Sequence, residues 1–137
     1  MTKVMCFGTF DLLHLGHLDY FKQAKKFGDY LIVVIARDKT KLLQNKESVF
    51  SEEERKELID ALMIVDEVIL GNEKDHFKVI EEHQPDVLCL GYDQKMDETI
   101  LKERLRERDL HPEIKRMQPY QDRKHKSTKI KQKVLQQ

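Results

Sequence analysis

Short, mostly apolar runs alternate along the chain with segments that mix apolar and polar residues. This alternation predicts strands that are each followed by a helix. Short apolar runs occupy residues 4–7, 30–36, 67–70 and 86–90; such runs are typical of strands that are covered on both faces. Residues 113–117 predict a fifth strand at a sheet edge. Because segments with apolar residues at helical intervals separate these runs, we expect an α/β fold. We expect a Rossmann-like, doubly wound, parallel five-stranded sheet that forms a single domain over residues 1–137.

Four intervening segments predict helices. Apolar residues recur at helical intervals from Leu15 to Phe27. Ser51 and Glu54 have the spacing of a capping box for a helix that runs to about residue 62. Two further helices are expected over residues 75–83 and 97–108. The residues expected to face the core are Leu58, Ile59 and Leu62 in the second helix and Ile100, Leu101 and Leu105 in the fourth.

Composition narrows the classes of partner. The 25 Lys and Arg residues are balanced by 25 Asp and Glu residues, which disfavours nucleic acid as a partner. No apolar run approaches the roughly 20 residues of a membrane span, and no signal-peptide pattern is present, so we expect a cytoplasmic protein without a membrane partner. Cys6 and Cys89 lie in strand-like runs and are expected to be buried thiols rather than a disulfide.

The junction between the first strand and the first helix reads Gly-Thr-Phe-Asp-Leu-Leu-His-Leu-Gly-His over residues 8–17. Unpaired N–H groups at a helix N-terminus attract anions, and in a parallel sheet that terminus opens at the carboxyl end of the strand, where ligands bind. Gly16 would let a phosphate approach the backbone closely. The junction therefore predicts a phosphate-binding site.

His14 and His17 within this junction also admit two other interpretations, metal ligands and packed core residues. A zinc site needs further ligands at close spacing, and neither a third His nor a Cys lies near the pair. We therefore expect no metal site built from protein side chains. A single histidine would usually be a packed residue, but the complete ten-residue string favours a phosphate site.

The loops after the first, second and fourth strands should converge on one cleft, because ligands bind at the carboxyl ends of parallel strands. These loops are residues 9–17, 37–39 and 91–94. Phosphoryl transfer needs cationic or hydrogen-bonding groups on the phosphate oxygens. His14, His17 and Arg37 have the position for this role, while Lys22 and Arg55 are weaker candidates, since most Lys and Arg side chains are solvated surface charges. Asp11 is expected to fix a neighbouring donor rather than to catalyse.

A second phosphate contact is possible near the C-terminus. Ser127 and Thr128 precede a lysine-rich stretch that looks like the start of a helix. Their hydroxyls fit an ordinary N-cap, and they equally fit a phosphate held at the helix N-terminus. The residues alone leave both interpretations open.

The string over residues 8–17 resembles the HxGH signature of the nucleotidyltransferase superfamily, which includes cytidylyltransferases, pantetheine-phosphate adenylyltransferase and archaeal FAD synthase. Residues 33–38, residues 90–94 and Tyr120 are similar to the archaeal-type FAD synthases. Residues 127–130 resemble the superfamily's late phosphate-contacting motif. They lack the Arg-x-x-Gly-Ile-Ser-Thr-Thr pattern usual in cytidylyltransferases that act on glycerol 3-phosphate or choline phosphate, which argues against CTP as the nucleotide.

This resemblance implies transfer of AMP from ATP to the phosphate of FMN by direct in-line attack, with a divalent cation, Mg²⁺ favoured, bound to the triphosphate. It implies catalytic roles for His14, His17 and Arg37, and a homodimer is a further expectation from the family. One alternative is a glycerol-3-phosphate cytidylyltransferase or another phosphate-acceptor nucleotidyltransferase; another is a catalytically silent nucleotide-binding regulator. The residues implied to bind the nucleotide are Thr9, Phe10, His14, Leu15, Gly16, His17, Asp93, Tyr120, Ser127 and Thr128.

Overall fold

The computed structural model describes residues 1–39, 49–92 and 94–120. Strands in these residues form one parallel sheet in the order β3-β2-β1-β4-β5. The chain builds outward from β1 through β2 and β3, then returns to the other side of β1 for β4 and β5, which confirms the predicted Rossmann-like sheet. The strands are β1 (Lys3–Gly8), β2 (Tyr30–Ile35), β3 (Glu67–Leu70), β4 (Val87–Leu90) and β5 (Glu113–Arg116).

Helices connect or flank the strands at the predicted places. The capping box at Ser51 and Glu54 is present, with both of its hydrogen bonds formed. The third helix begins later than predicted because the side chains of Asn72 and Asp75 bind nearby backbone N–H groups and form turns. No helix in the described ranges is long and apolar enough to cross a membrane. The helices are α1 (Leu15–Lys25), α2 (Glu52–Asp60), α3 (Lys78–His83) and α4 (Glu98–Glu107).

Successive strand residues point to opposite sides of the sheet, so apolar side chains form a core on each face. Val4 and Cys6 of β1 pack in one apolar cluster, while Met5 between them packs in the other. Helices α1 and α2 contribute to the first cluster, and α3 and α4 contribute to the second. The buried helical residues are Phe21, Ala24 and Ile59 on the first face and Val79, Ile80, Leu101 and Leu105 on the second.

Two predicted core positions are wrong. Leu58 is 43% exposed and Ile100 is 47% exposed. In α2 the inward positions are taken by Ile59 and, one turn earlier, by Arg55, whose side chain is 0% exposed. The cysteine prediction is confirmed: Cys6 and Cys89 are buried free thiols that face each other in register on β1 and β4.

Candidate active site

His14 is the N-cap of α1 and organises the first turn of the helix. Its Nδ1 accepts a hydrogen bond from the Gly16 N–H at 3.0 Å. Its backbone oxygen accepts from the N–H groups of His17 and Leu18 at 3.1 and 3.2 Å. Because Nδ1 is an acceptor, the neutral ring carries its proton on Nε2, which makes Nε2 a donor for a ligand.

Gly16 makes room for this ring. A Cβ atom at Gly16 would lie 2.7 Å from Cε1 and 2.9 Å from Nδ1 of His14, distances that no unstrained contact allows. The lack of a Cβ at Gly16 therefore admits the imidazole of His14, and the close approach of a phosphate to the Gly16 backbone stays a prediction. The first turn of α1 contains no acidic residue, so the positive end of the helix dipole favours an anion at the His14 ring.

His17 stacks on His14, with ring centroids 4.0 Å apart and planes inclined by 27°. Burial, followed by the charge of the neighbouring His14, lowers the pKa of His17 from 6.5 to about 3. His17 is therefore a neutral imidazole at neutral pH. The pair can offer N–H donors to a phosphate without the repulsion of two adjacent imidazolium ions.

The ring of Phe10 packs against the ring of His17. The Phe10 ring is 4% exposed and contacts His17 edge-on, with centroids 5.3 Å apart. The residue has a φ of 52°, a left-handed conformation that non-glycine residues seldom adopt. Gly8 is needed here, since a Cβ at that position would lie 2.5 Å from the Phe10 ring. Any contact of Phe10 with a nucleotide therefore involves its backbone.

Asp11 has the structural role that was predicted. Its carboxylate is 3% exposed and accepts hydrogen bonds from the N–H groups of Val49 and Phe50, both at 2.9 Å. These bonds fix the β1–α1 junction to the segment that leads into α2.

Arg55 lies beneath the junction rather than on the surface. Its fully buried guanidinium donates to the carbonyl oxygen of Thr9 at 2.9 Å and to Asp38 at 2.7 Å. The side chain of Arg55 has no exposed surface, so in this conformation its donors meet protein acceptors, and a phosphate contact of Arg55 stays a prediction. Arg55 joins the loop after β1 to the loop after β2.

Arg37 stands at the carboxyl end of β2, as predicted. Its Nε donates to the carbonyl oxygen of Gly71 after β3, and its Nη1 pairs with Glu52, both at 2.9 Å. Glu52 also accepts from the Asp38 N–H and donates its own N–H to the Asp38 carboxylate. Arg37 thus connects three segments, and two of its three guanidinium nitrogens already donate to protein acceptors.

Two side chains join the ends of β1 and β4: Gln94, in the predicted loop after β4, and Tyr20 on α1, which the sequence did not single out. The Gln94 side chain accepts from the Gly91 N–H and donates to the carbonyl oxygen of Phe7 at 2.8 Å. The Tyr20 hydroxyl donates to the carbonyl oxygen of Cys89 at 2.9 Å and lies 3.3 Å from that of Phe7. These contacts hold the ends of β1 and β4 beside each other. Their residues are far apart in sequence, so no local pattern could have revealed them.

Tyr120 reaches the start of α1. Its Cβ lies 3.9 Å from the position that a Gly16 Cβ would take, and the preceding segment is fixed to α1 by two hydrogen bonds between Gln118 and Gln23. The structure thus brings Tyr120 to the junction that holds Thr9, Phe10 and His14 through His17. Lys22 lies on the exposed surface of α1. Asp93, Ser127 and Thr128 fall outside the described residues.

Within residues 1–39, 49–92 and 94–120, no three His, Cys, Asp or Glu side chains are grouped so that they could hold a metal ion.

Comparison with known proteins gives one consistent family. Residues 5–133 match the model of the cytidylyltransferase-like family. An FAD synthase from Ferroglobus placidus is 46% identical over 122 residues, which are 89% of this chain and 80% of that protein. An FAD synthase from Thermoplasma volcanium is 42% identical over 98% of this chain and 95% of its own length.

The fold agrees with this assignment. A crystal structure from Thermoplasma volcanium, described as a lipopolysaccharide core biosynthesis protein, has a TM-score of 0.86 and 45% identity. The match covers 88% of this chain and 98% of that one. With the HxGH histidines placed at the N-terminus of α1, the chain belongs to the cytidylyltransferase-like family of nucleotidyltransferases and is related over most of its length to FAD synthases.

Proposed function

We propose that this protein transfers the AMP group of ATP to the phosphate of FMN, producing FAD and pyrophosphate. The observation that carries the proposal is the stacked pair His14 and His17 at the N-terminus of α1, beside the carboxyl end of the central strand β1. The 42–46% identity to FAD synthases over most of the chain supports FMN as the acceptor.

The reaction is a direct in-line displacement. A phosphate oxygen of FMN attacks the α-phosphorus of ATP, a new P–O bond forms, and the bond from the α-phosphorus to the bridging oxygen breaks as pyrophosphate leaves. The FMN phosphate is already ionised near neutral pH, so the enzyme needs no strong general base. Positioning and hydrogen bonds to the phosphate oxygens supply the catalysis.

His14 donates through Nε2 to the phosphate oxygens, and neutral His17 donates beside it. Arg37 meets the acceptor phosphate or the triphosphate through Nη2, because its Nε and Nη1 are held by Gly71 and Glu52. The resemblance supports nucleotide contacts for Thr9, Phe10, Leu15, Gly16, Asp93 and Tyr120, and pyrophosphate contacts for Ser127 and Thr128.

A divalent cation, with Mg²⁺ favoured, enters as part of the ATP substrate. Mg²⁺ keeps several waters and takes phosphate oxygens readily, so it needs few protein ligands. The homodimer and the cytoplasmic location stay predictions, and the elution volume of the purified protein tests the former.

The deciding experiment pairs two nucleotides with two acceptors and measures pyrophosphate. We expect release with ATP and FMN, with FAD identified by chromatography, and far slower release with CTP or with glycerol 3-phosphate. A His14→Ala variant controls for contaminating activity, and His111→Ala is its matched control, since His111 is exposed and lies before β5.

The other outcomes identify the alternatives. Turnover of CTP with glycerol 3-phosphate and none with ATP and FMN would assign the protein to the cytidylyltransferases. Nucleotide binding without pyrophosphate release from any pair would indicate a silent regulator.

A further inference from the structure

Arg116, the last residue of β5, holds three backbone carbonyl oxygens of the loop that follows β4. Its Nη1 donates to the carbonyl oxygens of Gly91 at 2.9 Å and Gln94 at 2.8 Å, and its Nη2 donates to that of Met96 at 2.8 Å. We call this loop, described at residues 91–92 and 94–96, the β4 loop. Few side chains can satisfy three carbonyls at once; the planar guanidinium does so because its donors diverge in a fixed fork.

The β4 loop lies at the edge of the sheet where ligands bind in folds of this topology, so these hydrogen bonds bear on ligand binding. In the order β3-β2-β1-β4-β5, the direction of chain winding reverses between β1 and β4. Ligands of such sheets bind outside the carboxyl ends of the strands at this switch point. By this rule the β4 loop and the β1–α1 junction with His14 and His17 are the two walls of the proposed ligand crevice.

The two walls are also joined by a hydrogen bond between the β4 loop and β1. Gln94 donates to the carbonyl oxygen of Phe7, one residue before the end of β1. The β4 loop is thus held from β1 by Gln94 and from β5 by Arg116. In register, Arg116 is paired with Leu90, the residue from which the loop departs, so the guanidinium acts directly at the base of the loop.

We propose that Arg116 is a positioning residue for the nucleotide: by holding the carbonyl oxygens of Gly91, Gln94 and Met96, it sets the distance between the β4 loop and the phosphate site of His14 and His17. This inference rests on the proposed function. Its consequence is that Arg116 governs the affinity for ATP, while the chemical step depends on the histidines. A trans peptide directs its N–H opposite to its carbonyl, so the same bonds fix the orientation of three peptide planes in this wall.

Charge pairing is not the main role of Arg116. Among the described residues it pairs with Glu98, with Nε and oxygen 4.0 Å apart and both side chains partly exposed. Such a pair contributes little. The three carbonyl bonds at 2.8–2.9 Å are charge-assisted and directional, and a lysine ammonium could not span them with the same geometry.

The test compares Arg116→Gln and Arg116→Ala with Lys115→Gln. Lys115 is the neighbouring residue on β5, its side chain leaves the strand on the opposite side, and it pairs with Glu113. For each variant, kcat and the KM for ATP are measured at saturating FMN, ATP affinity is measured by calorimetry, and thermal melting reports on the fold.

We expect Arg116→Gln to raise the KM and Kd for ATP by about tenfold or more, as for the loss of a charge-assisted hydrogen bond, with kcat close to wild type and Lys115→Gln unaffected. In Arg116→Ala, millimolar guanidinium chloride should restore ATP affinity in part, because the free ion can refill the site between the carbonyls. The same salt should not improve wild type or Lys115→Gln.

Unchanged ATP affinity in a folded Arg116→Gln variant, or a lowered melting temperature with unchanged ATP affinity, would overturn the inference. So would a fall in kcat with constant KM, which would place Arg116 in the chemical step. If wild type binds ATP but makes no FAD, the proposed acceptor is wrong, and the calorimetric comparison still decides the role of Arg116.

Discussion

The imidazole of His14 caps α1 through Nδ1 and at the same time stacks on the imidazole of His17, with centroids 4.0 Å apart. The cap fixes the orientation of the first ring, and the stack fixes the second against it. Since the pKa of His17 lies near 3 as a result of burial and of the nearby His14, the pair is not doubly charged at neutral pH. Both rings are therefore held in fixed orientations by contacts within the protein.

The first prediction concerns these two side chains. His14→Ala and His17→Ala should each lower kcat by about 100- to 1,000-fold, the usual cost of losing one donor to a developing anionic charge. Steady-state FAD formation measures the effect, with His111→Ala as the control. A variant that keeps near-wild-type turnover at saturating substrates would remove that histidine from the chemical step.

The second prediction is a pH dependence of stability. The pKa of His17 is about 3 in the folded protein and 6.5 in the unfolded chain. As the pH falls below 6.5, the unfolded chain binds a proton that the folded protein does not, so stability is lost between these two values. His17→Gln should show a shallower loss of stability on acidification. Urea unfolding at a series of pH values measures it, and equal slopes for the two proteins would contradict the assignment.

The third prediction concerns Gly16 and distinguishes its effect on the position of the His14 ring from its effect on helix stability. Gly16→Ala should displace the His14 ring, which lies within 3 Å of the new Cβ, and should lower turnover. Because alanine favours helices by about 1 kcal/mol over glycine, the melting temperature should fall little or rise. Gly71→Ala is the control, since its Cβ would make only ordinary contacts at 3.5 Å and beyond. Full activity of Gly16→Ala would show that the ring can move without consequence.

The fourth prediction distinguishes a buried support from a phosphate ligand at Arg55. Arg55→Met should lower the free energy of unfolding by about 1.5 to 3 kcal/mol, the range for hydrogen bonds that involve a charged group, because it removes the guanidinium donor of the Thr9 carbonyl and one of the donors of Asp38. Lys56→Met on the same helix serves as the control. If Arg55→Met instead keeps its stability and raises the KM for ATP, then Arg55 contacts the nucleotide directly.

The fifth prediction concerns Ser127 and Thr128. If they form only a helix cap, replacing both with alanine should cost about 1 to 2 kcal/mol of stability and leave the kinetics unchanged. We expect instead a higher KM for ATP or a lower kcat in a protein that melts near the wild-type temperature. Initial rates at varied ATP and thermal melts of the same preparations distinguish the two roles.

Local signals in the sequence were sufficient for the elements and for the main motif. The capping box at Ser51 and Glu54 involves residues three apart, and the buried runs of β1, β2 and β4 are contiguous. The string over residues 8–17 predicted the strand-to-helix junction that the structure shows, because its strand, turn and helix start are consecutive in the chain. Such features depend on backbone periodicity and on neighbouring side chains, so one sequence contains them completely.

The hydrogen bonds that hold the candidate site in place join residues that are far apart in the sequence. Only the tertiary structure determines these contacts. Arg55 meets the carbonyl of Thr9 across 46 positions, and Gln94 meets that of Phe7 across 87. Helical spacing alone placed Leu58 in the core, but the structure buries Arg55 because the loops after β1 and β2 provide acceptors for its guanidinium. Periodicity describes which side of an element is buried on average, whereas the partners that satisfy a buried polar group become known only when the strands are paired and their loops meet.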